Sequence, residues 1–123
     1  MEKLNNKQLE LWNELNEDNT LREIQKYVKE VIEMRGFANQ EIEKTMLLLL
    51  EEVGELAKSI RKNATNMRID NHKMNHYDTI ESEVADVFIV LSSVCNKLGI
   101  DLFQSIKDKE EENIKRIWKE NHR

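Results

Sequence analysis

No proline occurs anywhere in the 123 residues, and glycine occurs only three times. Proline breaks or kinks a helix, and glycine inside one costs about 1 kcal/mol relative to alanine. Their scarcity, beside abundant Leu, Glu and Lys, makes long helices the expected structure. Gly36 follows Met34-Arg35 and Gly99 follows Lys97-Leu98, each placed as the left-handed residue that closes a helix. Thr20 with Glu23 three residues on forms a capping-box pattern, and Thr79 and Asp101 are the other candidate N-caps. The pattern predicts a short N-terminal helix carrying Leu4, Leu11, Trp12 and Leu15, then helices near 20–35, 40–62, 79–98 and 101–118. Residues 63–78 are polar, Asn-rich and aperiodic, the one long connection, and connections above about 12 residues tend to be functional or mobile. The fold class expected is all-α, a bundle of four to five helices.

Two of these helices carry carboxylates where apolar residues should stand. With 100° per residue and Glu52 at zero, Leu48, Leu49, Val53, Leu56, Ala57 and Ile60 fill an arc from about −40° to +140°. Glu52 lies inside that arc and Glu55 at about −60°, on its edge. On the next helix, Ile80, Val84, Val87, Phe88, Val90, Leu91, Val94 and Leu98 form the stripe. Glu83 falls inside it or at its edge, and Asp86 again at about −60°. An i, i+3 carboxylate pair thus recurs on the same flank of two apolar faces. Acidic residues on a helix usually form a solvated face, as Glu110, Glu111 and Glu112 do well. Buried and unpaired, a carboxylate costs several kcal/mol, and four together repel and raise one another's pKa values.

Compensation has two candidate sources. Lys58, Arg61 or Lys97 can form salt bridges, although the matching flank of the second stripe lacks Lys and Arg until Lys97. A hard divalent cation is the simpler source, because carboxylate oxygens at this density suit Mg²⁺, with Mn²⁺ as a substitute. A di-iron site would want Glu-x-x-His pairs and zinc would want His or Cys. His72 and His76 fall in the polar connection and are expected to face solvent, while Cys95 sits on an apolar face as a core residue. Gly54, within the carboxylate helix, is expected to mark a close helix crossing.

Composition narrows the partners. Lys plus Arg number 19 against 24 Asp plus Glu, a formal net charge of −5, which argues against nucleic acid as a partner. The single cysteine excludes an internal disulfide. No apolar run approaches the about 20 residues of a membrane span, and Met1–Glu14 has no signal-peptide core. No membrane partner and a cytoplasmic location are the expectations.

The segments LLLLEEVGELAKSIRK (47–62) and ESEVADVFIVLSSVCNKLGIDL (81–102) resemble the MazG-like all-α nucleoside triphosphate pyrophosphohydrolases. That superfamily also holds the dimeric dUTPases, dCTP pyrophosphatases and phosphoribosyl-ATP pyrophosphatase. Its EExxE pattern matches Glu51-Glu52-Val53-Gly54-Glu55, its ExxD pattern matches Glu83 to Asp86, and 27 residues separate the two. Its KxxxNxxR pattern matches Lys109, Asn113 and Arg116. The resemblance covers residues 20–118, leaving 1–19 as an N-terminal helical extension and 119–123 as a tail. It implies Mg²⁺ binding by Glu52, Glu55, Glu83 and Asp86, and contacts to the nucleotide from Lys109, Asn113 and Arg116. It implies hydrolysis of (deoxy)nucleoside triphosphates between the α and β phosphates, giving a monophosphate and pyrophosphate. Glu51, about 100° round the helix from Glu52, is the candidate for positioning or deprotonating the attacking water, with a surface salt bridge as its competing role. Phe37 and Tyr77 are the aromatic residues best placed to stack on a base.

The helices carry more apolar surface than one chain can close over, Ile24, Val28, Val31 and Ile32 included. A homodimer that completes the bundle is expected, and the resemblance allows a homotetramer. The competing reading is a non-catalytic nucleotide-binding or dimerisation module of the same fold.

Overall fold

Three of the helices begin at side-chain caps, Thr20, Thr79 and Asp101. The computed structural model describes residues 2–67 and 79–118. Its helices are α1 (Glu2–Glu14), α2 (Leu21–Met34), α3 (Ile42–Ala64), α4 (Ile80–Leu98) and α5 (Leu102–Ile114), with no strand among the described residues. His72, His76, Tyr77 and the tail 119–123 lie outside the described residues, as does the side chain of Leu4.

Thr20 opens α2 with a complete capping box: its side chain accepts from the Glu23 N–H at 3.1 Å, and Glu23 accepts from the Thr20 N–H at 3.0 Å. Those bonds hold the Glu23 carboxyl below its usual range. Thr79 caps α4 and Asp101 caps α5. Gly36 (φ +86°) and Gly99 (φ +68°) end α2 and α4 in the left-handed region. Each closes a Schellman motif, with the next residue's N–H reaching back to Ile32 and Cys95. Helix α5 is shorter than its sequence pattern predicts. It ends at Ile114, with Lys115 as C-cap, so Arg116 lies beyond the helix. Among the described residues its last turn has no neighbouring helix to bury against, and Ile114 and Ile117 are 82% and 84% exposed.

Helices α3 and α4 form the principal pair; α2 lies against α4, and both α1 and α5 pack on α2. Burial falls on opposite sides of α4, with Glu83 and Val94 on one side and Ser92 about 180° away. That is the pattern of a helix enclosed between neighbours. The junction of α2, α4 and α5 is tied by buried Gln25. Its Nε2 donates to Asn96 Oδ1 (2.9 Å) and the Ile100 carbonyl (2.7 Å), and its Oε1 accepts from the Leu102 N–H (3.0 Å). Lys97 clamps the α2–α3 connection, donating to the carbonyls of Phe37 (3.2 Å), Ala38 (3.4 Å) and Gln40 (2.8 Å).

Among the described residues the buried hydrophobics are only Val28, Val31, Val94 and Cys95. Burial pushes the Cys95 thiol up, in keeping with its expected place in the core. On α3 the packed face is narrower than the apolar arc. Thr45, Leu48, Glu52, Leu56 and Ser59 face inward, whereas Met46, Leu50, Val53 and Ile60 are left exposed. Gly54 belongs to this outer side. A Cβ added there would meet nothing within 4 Å, so the close crossing expected at Gly54 is not made among the described residues.

Candidate metal centre

The inward faces of α3 and α4 carry the carboxylates. Helical spacing puts Glu52 at the middle of the buried side of α3, between Leu48 and Leu56. Thr79, by capping α4 four residues upstream, fixes the turn on which Glu83 stands, and Glu83 is 5% exposed. Asp86 follows one turn on, half-buried. Carboxylate oxygens of Glu52, Glu83 and Asp86 all lie within 4.8 Å of one another.

Three acids so close are electrostatically costly. Desolvation first, then the charges of Asp86, Glu51 and Glu55, raise the Glu52 carboxyl above its ordinary range. Two of the salt-bridge candidates, Lys97 and Lys58, are engaged elsewhere or at the edge. Lys97 serves the α2–α3 carbonyls, and Lys58 pairs with Glu55 at 3.6 Å rather than with the central three. The donor set is all-oxygen and anionic, the chemistry of a hard divalent cation. Opposite ligands of one Mg²⁺ at about 2.1 Å span about 4.2 Å, and three oxygens within 4.8 Å of one another are of the size such an ion bridges.

The other sequence-expected residues are placed differently. Glu55 stands at the rim, 45% exposed at its side chain and held by Lys58, outside the three-carboxylate cluster. Glu51 is exposed on the adjoining side of α3. Lys109 and Arg116 both bond Glu112, at 3.2 and 3.3 Å, and the Arg116 guanidinium lies 6.0 Å from the centre of the Trp118 ring. Asn113 is half-buried, with its Oδ1 unpartnered. Phe37 is exposed in the α2–α3 connection, compatible with an aromatic contact to a ligand.

A family model, the MazG nucleotide pyrophosphohydrolase domain, matches residues 40–118, which is 79 of the 123 residues. The chain belongs to the MazG family. No curated protein and no solved structure matches it. The match takes in α3, α4 and α5, and so every carboxylate of the cluster and all of Lys109, Asn113 and Arg116. Helices α1 and α2 of this MazG chain precede the matched segment. Nucleotide pyrophosphohydrolase chemistry is what the family suggests, and the acidic cluster lies inside the segment that carries the family likeness.

What the sequence reading missed is the support. On the inward face of α3 the most buried residues are small and polar, Thr45 and Ser59, seven residues to either side of Glu52. On α4 the serine pair inside VFIVLSSVC is buried as well, where small side chains let helices approach closely. Among the described residues no helix is long and apolar enough to cross a membrane.

Proposed function

We propose that this protein hydrolyses nucleoside or deoxynucleoside triphosphates between the α and β phosphates, releasing a nucleoside monophosphate and pyrophosphate, with Mg²⁺ as the required cation. The observation that carries the reading is the convergence of Glu52, Glu83 and Asp86 within 4.8 Å inside the family segment. These three hold the cation, and Glu55 joins them by leaving Lys58, with which it forms only an exposed i, i+3 pair. When bound, the ion supplies charge neutralisation on the phosphate oxygens and acidifies water.

The remaining work falls to the chain. Glu51 orients the water and accepts its proton; the water oxygen bonds to the α phosphorus as the bond to the bridging oxygen breaks, and pyrophosphate leaves. Lys109 and Arg116 exchange Glu112 for phosphate oxygens, and Asn113 offers its amide to the phosphates or sugar. The working form is a homodimer or homotetramer, supported by the exposed outer side of α3 and by the small core of a single chain. The expected setting is the cytoplasm, with no nucleic acid or membrane involved.

Turnover of a panel of common ribo- and deoxynucleoside triphosphates, with pyrophosphate and phosphate assayed separately, tests this. Pyrophosphate release that requires Mg²⁺ and is lost in Glu55→Ala and Asp86→Ala is the expected result. Nucleotide binding without release of pyrophosphate from any substrate would leave the binding-module reading instead.

A further inference from the structure

Away from the acids, positive charge gathers on one face of α2. Arg22, Lys26 and Lys29 fall within about 60° of one another there, at spacings i, i+4 and i+7. All three line an open groove of about 390 Å³, where α2 passes the end of α4 and the start of α5. Asp101 is the one acidic residue in that lining, in a chain whose net charge is −5. The carboxylate cluster is elsewhere. Ten residues of α4, about 15 Å of helix, separate Asp86 from Asn96 in the groove.

The three cations are only partly neutralised. Arg22 donates its Nε to Asp101, and its terminal nitrogens have no hydrogen-bond partner among the described residues. Lys26 reaches Glu30 only at 4.0 Å, in an exposed i, i+4 pair that holds it weakly. Lys29 forms no ion pair among the described residues. Arg22 repels Lys26 and Lys26 repels Lys29, because like charges three or four residues apart are neighbours on a helix.

The groove also has a fixed polar wall. Buried Gln25 belongs to its lining and is held by Asn96, the Ile100 carbonyl and the Leu102 N–H. Half-buried Asn96 donates one amide hydrogen to the Gln25 carbonyl at 3.1 Å, and the other has no partner among the described residues. Unused donors therefore outnumber unused acceptors, and most of them are cationic, which is the chemistry that binds oxyanions. The volume lies at the lower end of small-molecule sites and suits a short anion rather than an extended polyanion.

We propose that this groove binds a small phosphate-bearing anion, of the class of inorganic pyrophosphate or the phosphate end of a nucleotide, without a metal ion. Lys26 and Lys29 hold the phosphate oxygens as point charges, and Arg22 adds its terminal nitrogens while its Nε stays on Asp101. Asp101 caps α5 and Gln25 holds the Leu102 N–H, so a bound anion also steadies the start of α5. The site is independent of the hydrolysis reading, since it uses neither the carboxylates nor Lys109, Asn113 and Arg116.

Calorimetric titration of the full chain with inorganic pyrophosphate, in EDTA and at fixed ionic strength, tests it. Without a divalent cation the carboxylate cluster repels the anion. Saturable binding of one pyrophosphate per chain is expected, weakened about tenfold or more in Lys26→Ala/Lys29→Ala. Lys26→Arg/Lys29→Arg and Lys109→Ala/Arg116→Ala keep it. Both lysines are exposed, so the alanine double variant folds as the wild type does by circular dichroism. Pyrophosphate raises the melting temperature of the wild type and not of that variant. A nucleoside monophosphate in a second arm separates the two sources of the ligand: binding as tight as that of pyrophosphate identifies the phosphate end of a nucleotide, and none identifies the free oligophosphate. Absence of saturable binding for both anions overturns the proposal. So does binding that Lys26→Ala/Lys29→Ala keeps, or binding that Lys109→Ala/Arg116→Ala removes, since the anion then sits on α5.

Discussion

Replacing Gln25 with methionine tests how the fold delivers α5. The exchange keeps volume and removes three side-chain hydrogen bonds, to Asn96, the Ile100 carbonyl and the Leu102 N–H. Gln25 is buried, so its partners are left short of water as well as of protein. At about 1 kcal/mol for each bond, the loss is about 3 kcal/mol. Unfolding entropy of about 2.1 cal/mol/K per residue gives about 0.26 kcal/mol/K for 123 residues, so melting should fall by about 12 °C. The measurement is a thermal melt followed by circular dichroism at fixed protein concentration, with Lys26→Ala as a control. Lys26 reaches Glu30 only at 4.0 Å on the surface, and its loss should stay within about 0.5 kcal/mol. A fall below about 4 °C in Gln25→Met would refute the claim that this residue ties α2, α4 and α5 together.

Other outcomes follow from the same structure. Glu52 is raised above its ordinary carboxyl range in the folded chain, so as pH rises the unfolded carboxyl ionises first and the folded state loses stability. Metal-free Glu52→Gln should therefore melt above the wild type near about pH 7, the gain vanishing as pH falls below about 4, and a wild type that melts higher at both would sink the argument. Mg²⁺ at about 100 times its dissociation constant should stabilise the wild type by about 2.7 kcal/mol and leave Glu52→Gln almost unmoved; equal responses in differential scanning calorimetry contradict this. Gly54→Leu should shift gel filtration towards the single chain, whereas Gly54 facing only water would let Leu raise helix stability without changing the assembly. Thr20→Ala should cost about 1 kcal/mol in urea unfolding through the lost α2 cap, and an unchanged midpoint would remove that assignment.

Much of this was legible because helices advertise their ends and faces locally. The capping box at Thr20, the N-caps at Thr79 and Asp101, and the left-handed Gly36 and Gly99 are all short-range signals, and all five stand in the structure. Glu52 and Glu83 were legible as charges out of place in apolar arcs, and they meet together with Asp86, which stands on the flank. Glu55 occupies the same flank on its helix as Asp86, but Lys58 three residues on competes for it. Periodicity says nothing about which neighbour a face meets. It therefore missed the double-sided burial of α4, the clamp made by Lys97 and the hub at Gln25, each of which joins residues far apart in sequence. The end of α5 was misplaced for a related reason, since residues 101–118 have helical spacing but nothing among the described residues supports the final turn.

The claim on which the rest depends is that the α3–α4 carboxylates seat a divalent cation. Manganese binding followed by electron paramagnetic resonance, competed with Mg²⁺, tests it directly on the wild type and on Glu83→Gln, the most buried of the three acids. The account predicts saturable binding that Mg²⁺ displaces and that Glu83→Gln weakens by at least tenfold with the helical content unchanged. Binding of equal strength in both proteins would place the cation elsewhere and contradict it.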